Sequence, residues 1–244
     1  MIRSFLVLFA SAGIAAVPSV AHGRCPAESS GELHAAEPTS TEAIAGTWVL
    51  QQVTDQAELD RLLPKTIGPA LKTPHIRGFS LRVPWKAIDQ DFGLLEAGWK
   101  IARDHGVSYS VRFMAGRHTP AGVFDRECRF YLGGRGGREK IPMPFMEDGS
   151  PNTVFEKEYD AFVARLAAWC RAHDVRLLHL AWYGQDWAEL NHGKEVRSQA
   201  GYRYENWLRA HVRLIDVGLR YAGEDLAVEL PFSGYGPLTE AAVA

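Results

Sequence analysis

The chain is poor in cysteine, carries no excess of either charge and has one long apolar run. Each shortage closes off a class of proteins. Three cysteines among 244 residues, Cys25, Cys128 and Cys170, cannot staple a disulfide scaffold. An oxidising compartment would permit one bridge and leave one thiol over. Cys25 with Cys128 is conceivable, since both lie in loop-like sequence. Cys170 falls on the apolar side of an expected helix and reads as a small buried hydrophobe. No Cys or His spacing resembles a structural zinc site, and His118, His179 and His192 are scattered, so no metal is expected. No cofactor is expected either. The first strand lacks a Gly-x-Gly-x-x-Gly turn, and the glycine cluster at 133–137 lacks a following Gly-Lys-Ser/Thr. No Gly-x-Ser-x-Gly presents a serine nucleophile. The formal net charge of -2 provides no basic field for a polyanion, so nucleic acid is not an expected partner.

The long apolar run spans 5–17, behind the positive start Met1-Ile2-Arg3 and ahead of the small residues Ser19-Val20-Ala21. That is the three-part pattern of a secretory signal, expected over 1–21. The run is shorter than the roughly 20 residues of a comfortable membrane span, although a retained N-terminal anchor is the alternative. His22-Gly23-Arg24 is no lipobox for Cys25, and no other segment could cross a bilayer. The expected location is secreted or periplasmic, with no membrane contact after cleavage. Residues 22–45, rich in Glu, Ala, Ser, Thr and Pro, read as a flexible lead-in. Residues 46–244 remain for one domain, and 46% hydrophobic with 23% charged residues can build an ordinary core.

Strand and helix patterns alternate along that domain. Apolar, β-branched runs at 47–50, 76–83, 107–114, 177–183 and 226–232 predict strands. Helical periodicity predicts helices at 56–63, 91–105, from about 153 to 170, and 204–221. In the helix before Gly106, Leu95, Trp99 and Ala102 share a face. In the helix capped by Asn152-Thr153, Phe155, Tyr159, Phe162, Leu166 and Cys170 do so. In the last, Leu208, Val212, Ile215 and Leu219 share a face. The stretch 115–151 reads as long and irregular, and such loops are usually functional. Helices between consecutive strands mean crossover connections, hence a parallel sheet covered by helices. The expected class is α/β.

Ligands of parallel α/β folds bind at the carboxyl ends of the strands. Those ends are dense in Arg, aromatic and carboxylate residues: Arg82-Val83-Pro84-Trp85, then Arg112 through Arg117-His118, then Trp182 through Asn191-His192, then Glu229 through Tyr235. The mixture suits a carbohydrate, whose C–H faces stack on rings while its hydroxyls take polar partners. Trp85, Trp182, Tyr183, Trp187 and Tyr235 are candidate platforms, with Arg82, Arg117, His118, Asp186 and Asn191 as polar partners. Glu189, two residues after Trp187, is the candidate acid, because aromatic surface disfavours a charged carboxylate. Asp186 competes with it. Glu229 is a second carboxylate, expected either to bind substrate or to be an internal charge paired with Arg82 or Arg112.

The segment Leu178-His179-Leu180-Ala181-Trp182-Tyr183-Gly184-Gln185-Asp186-Trp187-Ala188-Glu189 resembles the fourth-strand signature of β-galactosidase-like (β/α)-barrel glycoside hydrolases. Gly184, Trp187 and Glu189 match it, and Ala188 stands where Gly is common. The strand ending Arg82-Val83-Pro84-Trp85 and the Leu-rich helix ending His105-Gly106 are also similar to these enzymes. The resemblance implies a TIM-barrel-like fold, hydrolysis of glycosidic bonds in carbohydrate metabolism, and Glu189 as general acid/base. It also implies a nucleophilic Glu at a seventh strand. No residue here matches that nucleophile, so the expectation is a partial barrel of about five strand–helix units. The alternatives are a non-catalytic carbohydrate-binding barrel remnant and a domain that completes its sheet with a partner.

Overall fold

The computed structural model describes residues 46–134, 137–181 and 194–230. Within them five strands form one parallel sheet: β1 (Thr47–Gln52), β2 (Ile76–Pro84), β3 (Ser108–Met114), β6 (Leu177–His179) and β7 (Ala227–Glu229), side by side in chain order. The expected α/β class with a parallel sheet is what the chain adopts. Four helices make the connections: α1 (Gln56–Leu62), α2 (Gly93–Asp104), α3 (Thr153–Ala172) and α4 (Tyr204–Tyr221). α1 runs on through a π-helical turn (Leu63–Ile67) into a short helix (Gly68–Leu71).

Local chemistry sets where these helices begin. Asp55 accepts the Glu58 amide at 2.8 Å while Glu58 accepts the Thr54 amide at 2.8 Å, so two amides at the start of α1 are satisfied reciprocally. Asn152 caps α3 by accepting from Phe155 N, and its amide nitrogen donates to the Met143 carbonyl at 2.8 Å. α2 gives way to Gly106, whose φ of +65° suits glycine and turns the chain into β3.

α2, α3 and α4 pack on one face of the sheet. Leu81, Val111, Leu178 and Val228 are in register across β2, β3, β6 and β7, so they share that face. Gly98 of α2 lies so close to Leu81 and Tyr109 that an added Cβ would meet them at 2.8 and 2.4 Å. Phe113 meets Tyr159 and Phe162 of α3 at 6.0 and 5.1 Å between ring centres. Gly218 of α4 sits against Val228. Fully burying such side chains is worth about 1.5–3 kcal/mol each, so this layer is the principal source of stability.

One expectation needs correction, and one helix buries a face that its apolar spacing does not mark. The stretch 115–151 is not irregular throughout: β4 (Phe130–Gly133) and β5 (Glu139–Pro142) pair as an antiparallel hairpin. Short strands around a glycine turn give too little periodicity to be seen beforehand. In α4 the apolar face shared by Leu208, Val212, Ile215 and Leu219 is not the buried one. Val212 and Leu219 are 60% and 71% exposed, while Trp207, Ala210, His211, Leu214, Val217 and Gly218 are buried. Small residues allow close approach to β7, and His211 Nδ1 is satisfied by the Trp207 carbonyl at 2.8 Å. The buried stripe is therefore less apolar by composition than the exposed one. Among the described residues no helix is long and apolar enough to cross a membrane. Residues 1–21 and the lead-in 22–45, with Cys25, lie outside the described residues. Cys128 and Cys170 are free buried thiols.

Candidate functional site

The sheet face opposite α2, α3 and α4 carries a polar row at its carboxyl end. Gln52, Arg82, Arg112, His179 and Glu229 lie in one register row, one residue from each strand, at or close to the strands' carboxyl ends. One layer below, Ser80 and Ser110 occupy β2 and β3. The sequence motif behind this is a repeated Ser-x-Arg: Ser80-Leu81-Arg82 and Ser110-Val111-Arg112. Period two sends Ser and Arg to one face and the apolar residue between them to the helices.

The row is tied together by hydrogen bonds. Ser110 Oγ donates to Ser80 Oγ at 2.8 Å, and Arg112 Nε donates to Ser80 Oγ at 3.0 Å. Arg112 Nη2 donates to Glu229 Oε2 at 2.6 Å, across 117 residues of sequence. His179 Nδ1 lies 3.4 Å from Arg112 Nη1 and 3.5 Å from Glu229 Oε1. Glu229 is thus the paired internal carboxylate foreseen as one of its two roles, with Arg112 as partner. Burial pushes its carboxyl pKa up, and the hydrogen bonds and charges of His179 and Arg112 more than offset this, leaving it below the usual value. Burial, helped by Arg112 and Arg82, lowers the His179 pKa against the pull of Glu229. At neutral pH the row holds an ionised carboxylate beside a neutral imidazole.

A wall rises beside this floor. After β3 the chain makes a tight turn (Gly116–His118) held to the hairpin by Arg117, whose Nη1 donates to Glu139 at 3.1 and 3.3 Å. Arg117 Nε donates to His118 Nε2 at 3.3 Å. Burial, then the charges of Arg117 and Lys86, drives the His118 pKa down to about 4, so this ring is also neutral. The hairpin docks on the segment that precedes α4: Tyr131 OH donates to the Gly201 carbonyl at 3.2 Å, and Leu132 N to Gln199 Oε1 at 2.9 Å.

Among the described residues, four buried polar atoms around floor and wall have no hydrogen-bond partner: Gln52 Oε1, His118 Nδ1, Thr119 Oγ1 and His179 Nε2. Buried polar atoms are almost always satisfied, and an exception calls for a missing partner such as a water or a ligand. These four gather at the carboxyl end of the sheet, whereas Tyr109 OH, also without a partner among the described residues, lies against Gly98 in the helix layer. A cavity of about 550 Å³ lies elsewhere, towards the amino ends of the strands, lined by Trp48, Trp99, Arg103, Tyr109, His173 and Arg176 among others. Trp99 donates to the His173 carbonyl and Arg176 to Asp174, so these polar groups are engaged, while the buried Tyr109 OH is the single exception there among the described residues. The candidate site is therefore the polar row.

Of the residues expected to bind substrate, Arg82 and Glu229 belong to the row, and Arg117 and His118 to the wall. Trp85 does not act as an open platform. It is 1% exposed, stacked on Phe162 at 4.9 Å and edge-on to Phe155 and Tyr159, with Nε1 donating to Asp89 at 3.0 Å. Following Pro84 at the end of β2, its side chain turns into the α3 layer, where the ring faces are covered. Glu189, Trp182, Asp186, Trp187 and Asn191, with Tyr183 and Tyr235, lie outside the described residues. Gln52, Thr119 and His179 were not singled out as binding residues, since single polar residues in apolar strands carry no signal until the register is known. Among the described residues no three His, Cys, Asp or Glu side chains gather as for a metal ion. No protein-family model matches the chain, and no curated protein matches it at a significant level of similarity.

Proposed function

We propose that this protein binds carbohydrate at the carboxyl end of its sheet and acts there as a glycoside hydrolase, with Glu189 as the acid. The observation that carries the reading is the register row with its unsatisfied polar atoms. Neutral donors and acceptors (His118, Thr119, His179, Gln52) beside arginines and a carboxylate offer a hydroxyl-rich ligand several partners of both kinds. Strands in chain order, with α2, α3 and α4 on one face, favour an arc of a (β/α) barrel over a doubly wound sheet, whose order reverses and whose helices cover both faces. In a barrel, this polar face is the lumen and the row lies at the catalytic end. Glu189 follows β6 in the chain, two residues after Trp187, and a carboxyl whose charged form is disfavoured suits proton donation to a leaving oxygen. The N-terminal pattern supports export, which N-terminal sequencing of the mature protein from the culture or periplasm checks.

The ionised, doubly engaged Glu229 favours a second reading, a sugar-binding protein without hydrolysis, because a carboxylate locked to Arg112 and His179 is not free to act as an acid. One experiment separates the two. The purified protein is titrated with oligosaccharides in a calorimeter and assayed on aryl glycosides, alongside Glu189→Gln. Hydrolysis that collapses in the variant, with binding retained, supports the enzyme. Binding without hydrolysis by the unmodified protein supports the second reading. Absence of binding to a broad glycan panel removes both.

A further inference from the structure

We infer that the outward face of α4 is a homodimer interface in which two copies pack their last helices antiparallel. Leu208, Val212, Ile215 and Leu219 are spaced four, three and four residues apart, the spacing of a coiled-coil seam. At about 100° per residue they stay within roughly 60° of arc and run some 17 Å along the helix. Val212 and Leu219 are 60% and 71% exposed, and Leu208 and Ile215 are half-buried at the seam's inner edge. The opposite flank of α4 is already occupied by α3, through Arg213 with Glu156 and Arg220 with Asp160. The seam thus lies on the free side of the helix layer.

The charges beside the seam choose the occupant. Arg209 and Asp216 flank it on the same side, both exposed. Asp216 has no ion-pair partner among the described residues, and Arg209 makes one long contact, 3.4 Å, to the Gly149 carbonyl. If a second copy approaches with its helix reversed, Leu208 meets Leu219 of the second copy and Val212 meets Ile215 of the second copy. Arg209 of each copy then comes beside Asp216 of the other, forming two symmetry-related pairs. A parallel pairing would leave these charges unmatched, since the other flank of the seam, His211 and Gly218, is buried against the sheet. Four apolar residues on one helix make a small interface, so the association is expected to be weak and reversible.

Sedimentation equilibrium across a micromolar concentration series tests this. The unmodified protein is expected to pass reversibly from monomer to dimer. Replacing both Val212 and Leu219 by Glu is expected to weaken association at least tenfold without changing the melting transition, since both side chains are exposed. Arg209→Asp alone is expected to weaken it several-fold, and Arg209→Asp combined with Asp216→Arg to restore it. A protein that stays monomeric at the highest concentration overturns the proposal. So does a dimer indifferent to the Glu pair, or a charge swap that fails to restore association.

Discussion

Removing the Glu229 carboxylate, whose arginine is buried, should destabilise the protein far more than removing a similarly close carboxylate whose arginine is exposed. The Arg112 side chain is 10% exposed, and Glu229, at 35%, is its charge partner among the described residues. Breaking a fully buried pair from one side costs roughly 3–5 kcal/mol, because the remaining charge is stranded away from water. Partial exposure of Glu229 admits some screening and brings the expectation for Glu229→Ala to about 2–3 kcal/mol. Arg220–Asp160 is the control: its contact of 2.9 Å is similar, but its side chains are 43% and 30% exposed. Asp160→Ala should cost at most about 1 kcal/mol. Urea unfolding followed by circular dichroism at pH 7 resolves the difference, given a slope of about 1–3 kcal/mol/M. Arg112→Met combined with Glu229→Ala should recover part of the loss, since no charge is then stranded. Equal losses for Glu229→Ala and Asp160→Ala, or a double variant no better than the Glu229 single, would refute the assignment of the row as a buried, mutually dependent network.

Other consequences are as direct. The His118 pKa is about 4 in the folded chain against an ordinary 6.5, and that of His179 is also lowered, so between those values the unfolded chain takes up protons that the native one refuses. Stability should therefore be level above pH 7 and fall as pH drops through 6.5 towards 4, a slope that His118→Gln reduces; a urea midpoint equal at pH 7.5 and 5 contradicts this. Gly78 lies under the Trp48 ring, where an added Cβ would stand 2.1 Å from a ring carbon, so Gly78→Ala should shift tryptophan emission and cost about 1–3 kcal/mol. An unshifted spectrum with an unchanged midpoint would show that the ring does not sit there. Trp85→Ala should cost about 3–5 kcal/mol as a core truncation, while Trp85→Phe, still folded, should bind sugar as the unmodified protein does; a selective loss of binding in Trp85→Phe would return that ring to the site.

The amino-acid sequence by itself determined the alternation of strands and helices, because the period of apolar residues follows from which side of each element is buried. It placed β2 and β3 within a residue or two and identified the buried face of α3. It also marked the carboxyl ends of the strands as the region to inspect, since crossover topology makes them converge. What it could not decide were quantities fixed between distant segments. The pairing of Arg112 with Glu229 depends on β3, β6 and β7 lying side by side in register, which no local pattern encodes. Trp85 looks like a platform and is core, because the chain turns at the end of β2 and α3 supplies rings to enclose it. The two stripes of α4 are both helical in period. Only the sheet beneath it, with room for Gly218 and His211 but not for Leu219, decided which would be buried.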